Sequence, residues 1–165
     1  MKVGIVSLVS AAAVATALAL AVPAGSAFGA SAAVSGTEHF QLVSTSYASN
    51  TGQVIAYGAF VGVAVDHMGN AADTFVFKDG SFKVTHKNGR GGSQNFNSRT
   101  CLETVLQPGT FTISGGKGKY AGITGHGTFR LTILSVGARG SSGCSRTKPP
   151  VATQIIIEAS GPVHF

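Results

Sequence analysis

Turn-forming residues divide the chain from residue 34 onward into segments of strand length. Groups of Gly, Pro, Asn and Asp stand at 49–52, 69–70, 79–80, 88–92, 108–109 and 115–118, and a Gly/Ser/Pro-rich segment covers 137–150. Between these groups, no window of about a dozen residues shows the i, i+3, i+4, i+7 apolar spacing of an amphipathic helix. Val, Ile, Thr, Phe and Tyr supply 45 of these 132 residues. Because these residue types favour extended backbone, strands are expected.

The segments between the turn signals predict eight strands with short connections. Their predicted bounds are 37–47, 53–65, 73–78, 81–87, 94–106, 109–114, 123–135 and 151–160. Eight antiparallel strands with almost no helix indicate a closed barrel or a sandwich, and closure removes exposed strand edges. A length of 165 residues is typical of one domain. We therefore expect a single all-β domain over 33–165.

The first 32 residues have the pattern of a secretory signal peptide. Lys2 precedes an uncharged apolar run, 3–22, which Pro23 ends, and small residues follow. We predict cleavage between residues 27 and 32, which would make the mature protein secreted, with no membrane association after cleavage. The alternative is an uncleaved membrane anchor, because an apolar run of about 20 residues is long enough to span a bilayer.

The charge of the mature chain argues against nucleic-acid binding. Once Lys2 is removed, eleven Lys and Arg residues remain against six Asp and Glu residues, and they are spread along the chain without a basic run. Nucleic-acid binding calls for a concentrated basic stripe or a known motif. We interpret the positive charge as a contribution to solubility, or to weak attraction toward acidic cell-surface polymers.

The two cysteines, Cys101 and Cys144, predict a disulfide, since an even count in an exported protein is most simply a bridge. A bridge closing this loop would stabilise the fold by roughly 4 kcal/mol through chain entropy. The alternative is a nucleophilic thiol, which would need a His partner and a reducing compartment.

A hairpin signal lies at 73–86, where Asp79-Gly80 separates two runs of alternating apolar residues. With these two residues as the loop, the register pairs Phe77 with Phe82, Phe75 with Val84, and Asp73 with His86, all on one face. Asp73 and His86 are candidate catalytic residues, because a carboxylate can fix the tautomer of an adjacent imidazole and raise its basicity. The alternative is a solvent-exposed ion pair at the open end of the hairpin.

Two segments, 53–65 and 155–157, are apolar on both faces. Strands of this kind are usually covered on both sides. In a single barrel the outer cover would have to be another subunit, so we predict a homo-oligomer. Strand 123–135 differs, because it alternates between an apolar face around Phe129 and a polar face with His126 and Arg130, which we expect to meet water.

No metal or cofactor is expected. The five histidines lack HxH or HExxH spacing, and no Cys cluster is present. The glycine-rich group at 115–118 is not followed by a helix, as a phosphate-binding loop would be. A Gly-Xaa-Ser-Xaa-Gly nucleophile elbow is also missing from the sequence.

The segment 109–129, GTFTISGGKGKYAGITGHGTF, resembles the signature of allene oxide cyclase and dirigent-type barrels. The 73–86 hairpin is similar to that of bacterial exported members of the group. The signature positions are Gly115, Gly116, Gly118, Tyr120, Gly122 and Gly125. Glycines there would permit positive φ and close backbone approach, and Tyr120 would plug one barrel end.

The resemblance implies a fold and a mode of action. The fold is a single eight-stranded antiparallel β-barrel of calycin type with an apolar cavity, often trimeric. Plant members cyclise an unsaturated fatty-acid epoxide or steer the coupling of phenolic radicals, in each case by holding a reactive molecule in a fixed conformation. The cyclase group has a Glu and a Pro on its first strand; Glu38 lies on the first predicted strand here, but no Pro follows it there.

Two functions follow as hypotheses. In the first, the barrel binds a small hydrophobic molecule and cyclises, isomerises or orients it. The contacting residues would be Tyr57, Asp73 and His86 together with the apolar side chains Phe75, Phe77, Phe82 and Val84. In the second, the protein is a non-catalytic secreted structural or cell-surface binding module with a packed barrel. An open apolar pocket of about 300 Å³ or more would favour the first, and a packed interior the second.

Overall fold

The computed structural model describes residues 33–46, 49–141, 143–145 and 147–165. The predicted signal peptide, 1–32, lies outside the described residues. The described part is built from strands, turns and bends, without a helix. Accordingly, none of the described residues belongs to a helix that is long and apolar enough to cross a membrane.

Eleven strands occur in the described part of the chain. They are β1 Ser35–Ser44, β2 Thr51–Gly58, β3 Gly62–His67, β4 Ala72–Phe77, β5 Gly80–Asn88, β6 Ser93–Asn97, β7 Leu102–Gly118, β8 Thr124–Val136, β9 Arg139–Gly140, β10 Gly143–Cys144 and β11 Ala152–His164.

Eight of these strands form a closed antiparallel barrel, which confirms the predicted fold class. The ring runs β1, β2, β3, β4, β5, β7, β8 and β11, and β11 pairs with β1 to close it. Strand β6 pairs with β7 outside the ring, and β9 and β10 form a small separate hairpin. Closure leaves no edge strand within the ring, so every ring strand has two hydrogen-bonded neighbours.

The predicted strand 53–65 is wrong as a single element, because the structure divides it into β2 and β3. A turn at 59–61 separates them. Its backbone is held by Ala59 N–H, which donates to Thr37 O at 3.1 Å, and by Phe60 N–H, which donates to Glu38 Oε2 at 2.9 Å. A buried side chain on β1 therefore supports a turn whose own sequence is apolar, which explains why local turn chemistry does not reveal it.

The bounds of the predicted strands 94–106 and 109–114 are also wrong. The chain turns at 98–101 between β6 and β7, and β7 then continues through Pro108 without interruption. Pro108 lies between Gly109, where pairing with β5 ends, and Leu106, where pairing with β6 begins, so on that side of β7 it has no strand partner among the described residues. Proline is tolerated in a strand at such a position, where one side of the strand is unpaired.

The disulfide between Cys101 and Cys144 is present, as predicted, with the two Cα atoms 5.3 Å apart. It joins the turn before β7 to β10, and Cys101 is fully buried. The carbonyl of Cys101 also accepts a hydrogen bond from Gly137 N–H at 2.8 Å, so the segment after β8 is held by two links. Such a bridge is consistent with an oxidising, extracellular environment.

The turn between β7 and β8 places the glycine-rich signature against the end of the barrel. Gly116 packs so closely that a Cβ there would lie 1.8 Å from the carbonyl oxygen of Tyr120. Tyr120 in turn is buried among the aromatic side chains of the core. The glycine is therefore required by close backbone approach rather than by a turn conformation.

Candidate functional site

The barrel interior is divided into a packed half and an open half. In the packed half the rings of Phe60, Phe77, Phe82, Tyr120 and Phe165 lie edge to face or tilted against one another. The closest centroids are those of Phe77 and Tyr120, at 4.8 Å. Phe77 and Phe82, which the sequence suggested as ligand contacts, thus belong to this packed cluster and do not line the cavity.

The open half contains a cavity of about 200 Å³. Its lining residues are Phe40, Leu42, Asp73, Phe75, Val84, His86, Asn88, Phe111, Phe129, Leu131, Ile157 and Ala159. The volume exceeds the ~150 Å³ engineered cavity that binds benzene, and it is below the ~300 Å³ typical of sites for drug-sized ligands. The cavity therefore has room for one small molecule, such as a single aromatic ring or the fused two-ring system of indole.

The ring of Phe40 connects the two halves. Its centroid lies 5.7 Å from that of Phe75 and 6.1 Å from that of Phe111, both in the cavity wall. It also lies 6.3 Å from Phe60 in the packed half. A side chain held by ring contacts on both sides has little freedom to move, so Phe40 forms a fixed wall between the cavity and the packed rings.

Asp73 and His86 come together in the cavity wall, although in a different register from the predicted one. The β4–β5 loop is Lys78-Asp79, so Asp73 pairs with Val84 and Phe75 with Phe82. This shift of two residues keeps every side chain on its predicted face, because side chains alternate with a period of two. Asp73 and His86 are then diagonal neighbours, with Asp73 Oδ1 3.4 Å from His86 Nε2.

Gly80 explains the difference in register. It does not lie in the turn but begins β5, where a Cβ would lie 2.2 Å from the carbonyl oxygen of Lys117. Asp79 O also accepts a hydrogen bond from Lys119 N–H at 2.9 Å, which draws the β7 end onto the hairpin. Asp79 and Gly80 thus contact the chain at the end of β7. The sequence pattern instead predicted that these two residues form the hairpin turn.

The Asp73–His86 pair is largely shielded from solvent. The side chains are 12% and 25% exposed, respectively, which differs from the exposed ion pair considered as an alternative. Asp73 Oδ1 also accepts a hydrogen bond from Gly69 N–H at 2.9 Å. The carboxylate is therefore fixed by the β3–β4 loop on one side and approached by the imidazole on the other, an arrangement that can orient a ligand or transfer a proton.

A second carboxyl group, Asp66, is buried close to this pair and was missed by sequence analysis. Asp66 is inaccessible to solvent, and neither carboxylate oxygen has a hydrogen-bond partner among the described residues. Burial, reinforced by the negative charge of Asp73, raises the pKa of Asp66 to about 8. Asp66 is therefore mostly protonated at neutral pH, and Asp73 supplies the negative charge at this end of the barrel.

Alternation along β3 places Asp66 on the same face as Ala64. Assigning that face to the barrel interior would have predicted that Asp66 is buried. Hydrophobicity favours the opposite choice, in which the valines of β3 face inward. The structure instead exposes Val63 by 68% and Val65 by 45%, and buries Ala64 and Asp66. Ala64 belongs to the same buried cluster as the phenyl rings of β4 and β5.

Glu38 is a third buried carboxyl group, but it belongs to the packed half. Its Oε2 accepts the Phe60 N–H, whereas Oε1 has no partner among the described residues. Burial raises the pKa of Glu38, and the hydrogen bond from Phe60 partly opposes this effect. Glu38 does not line the cavity, so its evident task is to hold the β2–β3 turn.

The remaining predicted residues lie in different places. Phe75 and Val84 line the cavity. Tyr57 does not, because it lies on the outer surface of β2, 50% exposed, with its ring stacked 5.1 Å from the imidazole of His39. His126 and Arg130 are exposed on β8, on the face expected to meet water.

Among the described residues, no group of three or more His, Cys, Asp or Glu side chains is arranged to hold a metal ion.

Comparison with known proteins found no matching family model, no matching curated protein and no matching solved structure. The assignment of function therefore depends on the chemistry of the cavity.

Proposed function

We propose that the barrel binds a small, mainly apolar molecule in its open half, where Asp73 and His86 orient the polar end of that molecule. The observation that carries this proposal is the contrast within one core. Aromatic rings fill one half, while the other half retains a cavity of about 200 Å³ with its polar groups gathered at one place. An eight-stranded barrel is just wide enough either to be filled by its own side chains or to hold one small ligand.

The wall of the cavity provides both apolar surface and acid–base chemistry. Most of its lining side chains are hydrocarbon, which favours burial of an apolar ligand. Asp73 accepts a hydrogen bond from Gly69 and lies beside His86, so the imidazole has a fixed neighbour for one of its nitrogens. Such a pair can assist an isomerisation or cyclisation by moving a proton, while the walls restrict the conformation of the bound molecule.

Titration with indole tests binding directly. The chain has no Trp, so indole emission can be followed without interference from protein tryptophan. The Ala159→Leu variant should block the site, because Ala159 lines the cavity and the larger Leu side chain would fill part of the cavity volume. Ala121→Leu is the control, since Ala121 lies exposed in the β7–β8 turn. Saturable binding by the natural protein and by Ala121→Leu, lost in Ala159→Leu, is expected; equal binding by all three proteins would refute the cavity as the site.

The polar pair is tested by Asp73→Asn and His86→Ala. Both variants should retain the barrel, as judged by circular dichroism, and should weaken the binding of ligands that carry a polar group. Unchanged affinity in both variants would remove these residues from the site. Rate measurements with any substrate found later would show whether the pair contributes to chemistry or to orientation alone.

The second candidate function is a non-catalytic structural or cell-surface module. The packed half of the barrel favours it, because those rings leave no room for a ligand. Under this hypothesis the cavity is a packing defect, and Ala159→Leu would raise the free energy of unfolding without removing any binding. The indole titration and the stability of this variant together separate the two functions.

We also propose that the protein belongs with the allene oxide cyclase and dirigent-type barrels. Support comes from the closed ring of eight antiparallel strands and from the close backbone packing at Gly116 within the signature segment. Solving an experimental structure of a bacterial exported protein that carries the same 109–129 segment would test this relationship. A different strand order in that protein would contradict it.

We infer that the chain is exported and loses its first residues. Support comes from the apolar 3–22 run and from the disulfide, which forms in oxidising compartments. Amino-terminal sequencing of the protein from culture fluid should give a start following cleavage between residues 27 and 32. Recovery of the intact chain in the membrane fraction alone would favour the uncleaved anchor.

A homo-oligomer is proposed through the outer surface of β2, β3 and β4. This surface exposes Ile55 opposite Val63 and Val65 opposite Val76 across neighbouring strands. Contiguous apolar side chains of this kind mark contact surfaces, and a second copy presents the same apolar chemistry. The family resemblance favours a trimer. Light scattering at micromolar concentration should give a mass above the monomer, and Val63→Lys should lower it; a monomer in both cases would refute the proposal.

A further inference from the structure

The charges around the cavity indicate what kind of small molecule it would hold. Among the described side chains that line it, Asp73 is the only carboxylate, and neither Lys nor Arg is present. The chain as a whole carries a formal charge of +6, so its basic residues lie elsewhere. A cavity lined by one carboxylate and by no Lys or Arg among the described residues favours a cationic ligand over an anionic one.

The position of the Asp73 carboxylate supports this charge preference. Oδ1 accepts the Gly69 N–H at 2.9 Å and lies 3.4 Å from His86 Nε2. Both of these contacts within the described residues involve Oδ1 and not Oδ2. This second oxygen is thus available to accept a hydrogen bond from an ammonium group, and a charge-assisted bond of that kind is stronger than a neutral one.

Aromatic rings supply the rest of the recognition. Four phenyl rings line the cavity, those of Phe40, Phe75, Phe111 and Phe129. The ring of Phe40 forms edge-to-face contacts with the rings of Phe75 and Phe111. The negative face of an aromatic ring attracts an organic cation, and the attraction increases when water is excluded. The same rings bury the hydrocarbon part of an amine.

We propose that the cavity selects small organic cations, namely amines or ammonium ions with an apolar body, by pairing the positive nitrogen with Asp73 and packing the body among the phenyl rings. This inference rests on the proposed function, since it names the chemical class of the molecule bound in the same cavity. A volume of about 200 Å³ limits such a molecule to one or two fused rings or a short branched chain.

The test compares two ligands of the same shape and size. Benzylamine, which is protonated at neutral pH, and benzyl alcohol, which is neutral, are titrated into ¹⁵N-labelled protein with the disulfide formed. We expect benzylamine to bind about tenfold more tightly than the alcohol, because it adds an ion pair and a cation–π attraction. Shifts of the amide signals of Phe75, Val84 and Leu131 locate binding in the cavity.

Two isosteric variants make the test specific. Asp73→Asn removes the cavity charge and should bring the affinity ratio of the two ligands close to one. Asp79→Asn removes one negative charge from the exposed β4–β5 loop and should leave the ratio unchanged. If both variants reduce the ratio equally, overall charge rather than Asp73 is responsible, and the inference is wrong.

The possible outcomes separate this inference from the proposed function. If the natural protein binds the alcohol as tightly as the amine, the cavity is a ligand site without preference for cations, and only this inference fails. If neither ligand, nor indole, shifts the amide signals of the cavity residues, both proposals fail. A benzylamine preference that Asp73→Asn leaves intact would also overturn the inference, even with the ligand in the cavity.

Discussion

Replacement of Asp66 by Asn should change how the stability of the protein depends on pH. Asp66 is fully buried without a hydrogen-bond partner among the described residues, and its pKa is raised from 3.8 to about 8. A carboxyl group with a raised pKa in the folded state holds its proton more tightly there than in the unfolded chain. Between about pH 4 and pH 8, unfolding therefore releases a proton, and the free energy of unfolding falls as pH rises.

The magnitude follows from the pKa difference. Each pH unit inside this window lowers the free energy of unfolding by about 1.4 kcal/mol, the value of one pKa unit. Over the whole window the loss approaches about 6 kcal/mol, an upper figure because local opening would let water reach the carboxylate. The amide side chain in the Asp66→Asn variant does not titrate, so this slope should disappear while the contributions of the other groups stay.

Urea denaturation of both proteins at several pH values between about 5 and 9, with the disulfide intact, measures the effect. The difference in free energy of unfolding, variant minus natural protein, should rise with pH and level off above about pH 8. Asp79→Asn, an exposed carboxyl on the β4–β5 loop, is the control and should give a flat difference. Parallel curves for Asp66→Asn and the natural protein would refute the burial argument.

Two further changes test the framework around the cavity. Gly116→Ala should lower the free energy of unfolding by about 3 kcal/mol or more, because the added Cβ would lie 1.8 Å from the carbonyl oxygen of Tyr120. Urea denaturation measures this loss. A midpoint equal to that of the natural protein would show that the turn can shift without cost. Replacing Cys101 and Cys144 together by Ser should lower the free energy of unfolding by up to about 4 kcal/mol, measured in urea, and a loss below about 1 kcal/mol would mean that the bridge contributes little.

The fold class could be predicted because its signals are local. Turn residues and β-forming residues alternate along the chain, and eight such segments with short connections close into a barrel. Strand bounds were harder wherever a distant residue decides them. The β2–β3 turn depends on the Glu38 carboxylate, and Pro108 lies within β7 at the point where the pairing of β7 changes from β5 to β6.

The candidate site could be predicted only in part. Asp73 and His86 meet despite an error of two residues in the hairpin register, since a shift of two preserves the face. Alternation says nothing about depth along the barrel, so Phe77 and Phe82 were assigned to the cavity although they lie in the packed half. Asp66 was missed because the faces of β3 are opposite to those its valines suggest.

The central claim is that a small molecule occupies the open half of the barrel, and nuclear Overhauser effects between bound indole and protein methyl groups test it most directly. We predict contacts to the methyl groups of Val84, Leu131 and Ile157, which line the cavity. Contacts confined to Val61 and Val63, which lie on the exposed outer surface, would place the molecule outside the barrel and contradict the claim.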